Sequence, residues 1–397
     1  MSEYKNFHFL MDAEVVFGRG AEQEAGRLVK AHGGTRAMLV FGGGSIKRSG
    51  LYDRLRASLE EAGVACVDFG GVHANPRRSY AEEGVKLAVS EKVDFLLAAG
   101  GGSSIDTAKS IALALAHGGE FWKYFKGEPY GGAYPVGAVN TIAAAGSEMS
   151  RSAVLVDDVD TGQKTGLWCD AWRPRFAAMN PELTFTVPKD QTAAGSADIV
   201  AHVMMRYFSP YASALGDRFC QSMMRTVVDF APKAVEAPDD YAARAELMLS
   251  AGFAHCDISF LGRPAFQAGE HALESQLSGH YDTAHGAGLA VMMPAMLGYF
   301  VRCGSEEQVA RVAKFGHVLF GADPSDASDG VARFAAWLKS LSLPGTLREL
   351  GVPEGDLEAC VDRCLAARGG KPIEGYMTLD RAAVEDIYRR AYSGDFL

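Results

Sequence analysis

The sequence predicts two domains of different class: a Rossmann-like α/β nucleotide-binding domain with a mostly parallel sheet over residues 1–188, and an all-α domain over 189–397. Three observations carry this. Up to about residue 188, short apolar runs alternate with amphipathic helical stretches, the pattern of a parallel sheet with helices laid on it. Two of those runs end in glycines at the strand's carboxyl end, Gly42-Gly43-Gly44-Ser45 and Gly100-Gly101-Gly102-Ser103, where open α/β sheets bind nucleotides. From Asp190 onward nearly every segment has helical periodicity instead. A chain of 397 residues exceeds what one core usually covers, and 48% hydrophobic residues suffice for two.

In order, Phe7 to Gly20 holds two apolar clusters, Phe9-Leu10-Met11 and Val15-Val16-Phe17, which predict one or two short strands and a turn. Ala21 to His32 predicts a helix, and Ala37 to Phe41 a buried strand running into the first glycine loop. In the next predicted helix, Leu51 to Ala62, Leu51, Leu55 and Leu59 recur every four residues and form a stripe for the sheet. A second pass follows: strand Val64 to Phe69, loop His73 to Pro76, helix Ser79 to Lys92. Asp94 to Ala99 is the clearest buried strand, and it leads through the second glycine loop into a helix ending near Ala116. Strand Val136 to Asn140 opens into the small-residue loop Thr141 to Glu148. Ala153 to Val156 and Gln163 to Trp168, split by Asp157-Asp158-Val159-Asp160-Thr161-Gly162, predict a hairpin. Phe176 to Met179 and Asn180 to Pro188 end the β signal, and later loops fall near Pro210, Pro238, Arg263, Gly321 to Asp329 and Gly369 to Pro372.

The formal charge of -10 and a pI near 5.5 argue against nucleic-acid or anionic-membrane partners, which such a surface repels. The most apolar late segment, Leu289 to Phe300, is about a dozen residues long and contains Pro294, short of a membrane span. The first residues are polar and lack a signal-peptide core, so a cytoplasmic location is expected. Seven cysteines, odd in number and without a C-x-x-C pair, indicate neither a disulfide framework nor a thiolate metal site. Cys360 and Cys364, one turn apart, read as a buried helix face.

The residues that carry chemistry lie past the middle. In a helix over 190–207, Asp198 and His202 are four apart and share a face. His271 and His285 are too far apart for one helix face, but fit a helix feeding a loop that folds back. One carboxylate and three neutral imidazoles make an N/O site suited to Zn²⁺ or Fe²⁺. Read alone, the same residues also fit a turn-capping aspartate and scattered, satisfied histidines. The second glycine loop, with strand, glycines and helix in the required order, lets backbone N–H groups approach a pyrophosphate at the helix's positive end. A tight turn without ligand is the plainer alternative.

Taken together the motifs are specific where each alone is not. The chain resembles the iron-containing (group III) alcohol dehydrogenase family, within it the butanol dehydrogenases and broad aldehyde reductases. The resemblance rests on Phe17-Gly18-Arg19-Gly20, Gly42 through Gly50, Asn75-Pro76, Gly100 through Lys109, Gly146-Ser147-Glu148, Lys164, Asn180 through Leu183, Asp198 with His202, and His271 with His285-Gly286. It implies a metal- and NAD(P)H-dependent oxidoreductase interconverting a small aldehyde and its primary alcohol. The metal ligands would be Asp198, His202, His271 and His285. The cofactor residues would be Gly42, Gly43, Gly44, Ser45, Lys47, Asn75, Gly100, Gly101, Gly102, Ser103, Asp106, Thr141, Ser147 and Lys164. The resemblance also implies a homodimer or higher homo-oligomer, formed through N-terminal strands such as Val15-Val16-Phe17. NAD-preferring members carry an aspartate near Gly43; here no acid lies between Val40 and Leu51, and Ser45, Lys47 and Arg48 suit a 2′-phosphate, so NADP(H) is expected over NAD(H). Lys47 and Arg48 also fit a solvated charge pair at a helix start.

Two positions depart from the family pattern. Ala145 stands where threonine is frequent, and Ser275 stands where a histidine commonly follows the third ligand and serves a proton relay. His280 is unusual for its place and is expected to be a pocket residue. A dehydroquinate-synthase-like or glycerol-dehydrogenase-like enzyme acting on a polyol or phosphorylated substrate is the competing reading. It would need a cationic pocket, whereas the segments around the ligands offer Met204, Met205, Phe208, Phe253, Phe260 and Phe266, with Arg206 and Arg263 the nearby cations.

Overall fold

The computed structural model describes residues 6–211, 213–263 and 269–397. It contains two compact units, one spanning Leu10–Thr186 and the other containing Val187–Leu397.

In the first unit the elements run β1 (Glu14–Phe17), α1 (Ala25–Ala31), β2 (Arg36–Phe41), α2 (Ser45–Arg48), α3 (Leu51–Glu61), β3 (Ala65–Gly70), α4 (Arg78–Ser90), β4 (Phe95–Gly100), α5 (Gly102–Ala116), α6 (Trp122–Phe125), β5 (Val136–Asn140), β6 (Ser152–Val156), β7 (Lys164–Trp168) and β8 (Phe176–Met179). Six strands form one sheet in the order β1-β8-β5-β4-β2-β3, every neighbouring pair parallel. The central strands are apolar throughout because both faces are covered, and side chains alternate between faces. Met38, Val40, Leu96 and Ala98 enter a core with Val85 of α4 and Ile105 and Ile111 of α5. Leu39, Phe41, Leu97 and Ala99 enter the opposite core with Leu28 of α1 and the α3 stripe Leu51, Leu55 and Leu59. Burying one such leucine contributes about 1.5–3 kcal/mol, so the stripe helps to hold α3 on the sheet.

The strand order places the glycine-rich loops. From β2 the chain moves outward to β3, then returns to β4 on the other side of β2, which makes the β2/β4 boundary the topological switch point. Phe41 of β2 lies opposite Ala99 of β4, and Gly100 opposite Asn140 of β5. The loops beginning at Gly42, Gly100 and Thr141 therefore leave adjacent strand ends side by side.

The hairpin forms as expected, β6 antiparallel to β7 with Val156 opposite Lys164. The N-terminal segment yields one strand, within the one or two expected: among the described residues β1 pairs only with β8, and residues 6–13 carry no regular element. After β8 the chain makes a short 3₁₀ turn over Pro181–Thr184, not a strand; Pro181 starts it and the Asn180 side chain accepts from Glu182 N at 3.1 Å.

The second unit consists of α7 (Lys189–Tyr207), α8 (Ala214–Glu236), α9 (Tyr241–His255), α10 (Gly269–Tyr281), α11 (His285–Cys303), α12 (Glu306–Phe320), α13 (Ala327–Ser340), α14 (Leu357–Ala366) and α15 (Arg381–Ser393). α7 is buried continuously from Thr192 to Tyr207, packed among α8, α9, α10 and α11. Asp198, His202 and Arg206 are among its buried side chains, and a helix enclosed on all sides belongs to the core. The same holds for α11, which is longer than the Leu289–Phe300 segment suggests. By length and composition alone it could cross a membrane, but most of it is buried inside the unit against α7, α10, α13 and α15. Cys360 and Cys364 are buried on α14, and all seven cysteines are free thiols.

Candidate metal centre and cofactor loops

In the helical unit, Asp198 and His202 lie one turn apart on α7 with 5% and 8% of their surface exposed. His271 sits in the first turn of α10 and His285 opens α11. Three imidazole Nε2 atoms surround one oxygen, Asp198 Oδ1: His202 at 3.4 Å, His271 at 3.9 Å and His285 at 3.9 Å. Donors bound tetrahedrally at about 2.0–2.2 Å stand roughly 3.4 Å apart, so these separations match a metal's first shell before contraction. Asp198, His202 and His271 offer ligand atoms within 4.8 Å of one another; His285 joins from the Asp198 side. Asp198 Oδ1 and His271 Nε2 are buried without a hydrogen-bond partner among the described residues. A divalent cation at their meeting point satisfies both, and the N/O donor set fits Zn²⁺ or Fe²⁺. Burial, helped by neighbouring His255, His271 and Arg206, holds the His202 imidazole well below its ordinary pKa, in the neutral form that ligates metal.

Local sequence explains how distant helices bring these groups together. Gly286, next to His285, packs so closely that a β-carbon there would fall 1.9 Å from the carbonyl oxygen of Ala194 on α7. The first turn of α11 thus lies on the backbone of α7, one turn before Asp198. Two residues further on, Gly288 leaves room for the Glu274 side chain.

Three more groups belong to this neighbourhood and were not singled out from the sequence. Glu270 and Glu274, one turn apart on α10, are 2% and 0% exposed. Glu270 Oε1 lies 3.2 Å from His271 Nδ1, and Glu274 Oε2 contacts His285 Nδ1. His255, at the end of α9, stacks on His202 with ring centroids 4.2 Å apart. The usable signal was the i, i+4 spacing of the two glutamates around His271; nothing local pointed to His255.

Several expectations are corrected. His280 is exposed, edge-on to the Tyr281 ring at 4.8 Å, and is not a buried pocket residue. Ser275, where a relay histidine was noted as missing, donates to the backbone oxygen of His271 at 2.6 Å. Arg206 bonds the His202 carbonyl and lies over the Phe260 ring at 4.6 Å; Arg263 pairs with Asp217. Both guanidinium groups are internal rather than pocket cations. Met205 and Phe208 line a small cavity with Glu270, Met296, Phe300 and Tyr376; Met204 is core, and Phe266 lies outside the described residues.

In the α/β unit, Gly100 has φ of +155°, and its β-carbon would meet Ser104 Oγ at 2.6 Å. A β-carbon on Gly101 would meet Ile142 Cγ2 at 2.6 Å, so the second loop closes onto the Thr141 loop only with glycine there. Ser104 N and Ile105 N bond Gly101 O, and the amides of Gly101, Gly102 and Ser103 precede them at the N-terminus of α5, the kind of helix start that suits an anion. Thr141 N bonds Gly100 O at 3.2 Å, and Lys164 Nζ bonds Asn75 Oδ1 at 3.1 Å, joining two expected cofactor residues. In the first loop Gly43 is exposed with open space around it, and Arg48 reaches back over Gly44. Lys47 Nζ stands 5.4 Å from the Phe41 ring and 5.0 Å from the Tyr52 ring.

Asp106 and Ser147 are placed together, bonded to each other. Ser147 Oγ donates to Asp106 Oδ1 at 2.6 Å, and Val154 N donates to Oδ2 at 2.9 Å. Beside them the fully buried Lys109 ammonium donates to the backbone oxygens of Ser147 (2.8 Å), Ser150 (3.0 Å) and Ser152 (2.7 Å). Burial pushes Lys109 down to about 8 and the neighbouring Glu148 up to about 7. This network shapes the loop over 146–152 from within.

Comparison with known proteins gives the family. Residues 12–181 match the family model of iron-containing alcohol dehydrogenase, and residues 192–392 match the C-terminal model of the Fe-containing alcohol dehydrogenase family. The NADH-dependent butanol dehydrogenase A of Clostridium acetobutylicum is 34% identical over 394 residues, covering 98% of this chain and 100% of that protein. The NADPH-dependent aldehyde reductase YqhD of Escherichia coli is 29% identical, covering 90% and 92%. The crystal structure of the NADH-dependent butanol dehydrogenase A of Thermotoga maritima superimposes with a TM-score of 0.92 at 33% identity, covering 98% and 100%.

Proposed function

The chain belongs to the iron-containing alcohol dehydrogenase family and is an NAD(P)-dependent oxidoreductase; on that premise we propose that it interconverts small, mostly apolar aldehydes and their primary alcohols, with one Zn²⁺ or Fe²⁺ and a preference for NADP(H). The observation that carries the metal reading is the convergence of three Nε2 atoms on Asp198 Oδ1, with buried donor atoms there that lack a partner. When bound, the metal polarises a substrate oxygen and the nicotinamide supplies or takes the hydride. Asp198, His202, His271 and His285 hold the metal. The amides of Gly101, Gly102 and Ser103 hold the pyrophosphate at the N-terminus of α5. The internal engagement of Arg206 and Arg263 supports an uncharged substrate over a phosphorylated one.

The names of relatives are divided between NADH and NADPH, so the cofactor preference rests on the first loop. The exposed Lys47 and Arg48, the Ser45 hydroxyl and the absence of an acid over residues 41–50 suit a 2′-phosphate. Free thiols throughout fit the reducing cytoplasm. A homodimer is supported by β1, whose outer edge has no partner strand among the described residues and whose neighbourhood exposes Leu10, Met11 and Phe17.

The test is metal analysis of protein purified without added metal, together with NADPH and NADH oxidation over a panel of short aldehydes. One metal per chain with aldehyde-dependent NADPH oxidation is the expected result; turnover unaffected by complete removal of metal would overturn the reading.

A further inference from the structure

We propose that Glu274 is a positioning residue for the metal centre: its carboxylate holds the His285 ring by Nδ1 so that the Nε2 lone pair faces Asp198. The inference rests on the proposed four-residue metal site and adds a fifth side chain that touches no metal itself. Glu274 is completely buried on α10, where a carboxylate is costly unless its oxygens are engaged. Its Oε2 contacts His285 Nδ1 and also accepts from Ser278 Oγ at 3.2 Å. The opposite side of the carboxylate is accommodated by Gly288, where a β-carbon would fall 2.6 Å from Glu274 Oε1. Helix α11 therefore presents His285 to the carboxylate and, one turn later, a glycine that clears space for it.

The contact decides a tautomer. A neutral imidazole has one N–H and one lone pair, and a carboxylate at Nδ1 takes the N–H, leaving Nε2 as the donor to a cation. His271 has the same provision on a smaller scale, through Glu270 Oε1 at 3.2 Å from its Nδ1. With Glu274 removed, His285 is free to rotate or to carry its proton on Nε2, where it repels a metal.

The experiment compares wild type, Glu274→Gln and Glu274→Leu for Zn²⁺ affinity by chelator competition, for Co²⁺ visible absorption, and for thermal unfolding of the metal-free protein. Loss of such a partner typically weakens metal binding by about 10- to 100-fold. Glu274→Leu is expected in that range with altered Co²⁺ bands. Glu274→Gln, which keeps an acceptor oxygen but not the charge, is expected to fall between it and wild type, with metal-free unfolding within a few degrees of the parent. If wild type binds one metal tightly and Glu274→Gln binds it equally with an unchanged Co²⁺ spectrum, the positioning role is overturned while the metal site stands. Should Glu274→Leu fail to fold, the isosteric glutamine variant decides alone. Wild type that binds neither Zn²⁺ nor Co²⁺ overturns the metal reading itself.

Discussion

A β-carbon on Gly286 would lie 1.9 Å from the backbone oxygen of Ala194, so the approach of α11 to α7 depends on a missing methyl group next to a metal-ligand candidate. Neither atom can move alone, because each belongs to the backbone of a buried helix. Gly286→Ala is expected to push the start of α11 away, withdraw His285 from Asp198 and weaken metal binding at least tenfold. Overpacking of this kind costs about 1–3 kcal/mol of stability. Metal titration and urea unfolding check both; a variant with parental metal affinity would show that the close approach is not needed for the site.

His271→Ala removes a ring nitrogen, Nε2, that has no hydrogen-bond partner among the described residues. Metal retention and turnover should fall together, turnover by three orders of magnitude or more, on the order of 4 kcal/mol. Stoichiometric metal with normal turnover in this variant would exclude His271 from the site.

The buried pair Glu148 and Lys109 predicts a pH signature. Glu148 is raised by burial from 4.5 to about 7, so between those values the folded protein keeps a proton that the unfolded chain has released, and stability falls as pH rises. Lys109 is lowered by burial from 10.5 to about 8; between about 8 and 10.5 the unfolded chain holds the extra proton, and stability rises with pH. Glu148→Gln should flatten the decline between pH 4.5 and 7 and leave the alkaline limb in place. Urea midpoints measured across pH 5 to 10 provide the check, and an unchanged acid-side slope would acquit Glu148.

The open space around Gly43 makes the cofactor preference testable with little structural disturbance. Gly43→Asp introduces a carboxylate that repels a 2′-phosphate and accepts from ribose hydroxyls. The parent is expected to favour NADPH over NADH by tenfold or more in kcat/KM, about 1.4 kcal/mol, and the variant to shift toward NADH. Equal efficiency of the parent with both cofactors would sink the claim.

Light scattering at micromolar concentration is expected to give at least a dimer mass, consistent with the open edge of β1. A monomer mass would rule this assembly out.

What the sequence by itself determined here is what short-range physics governs. Apolar runs ending in glycine located parallel strands and the glycine loops that follow them, because strand burial and helix N-terminal chemistry are written within a few neighbouring residues. The Asp198–His202 spacing was legible for the same reason, one turn of helix placing both on one face. Tertiary structure alone decided the rest. The side-by-side placement of the three loops followed from strand order, the approach of His285 to Asp198 from a glycine contact between α11 and α7, and that of His271 from the packing of α10. Asp106 became the bonded partner of Ser147, 41 residues away, and the glutamates behind the histidines gained their role only when α10 and α11 packed. His280 turned outward although it stands between His271 and His285 in sequence. Burial and partner choice depend on groups distant along the chain, and no local period records which of them will meet.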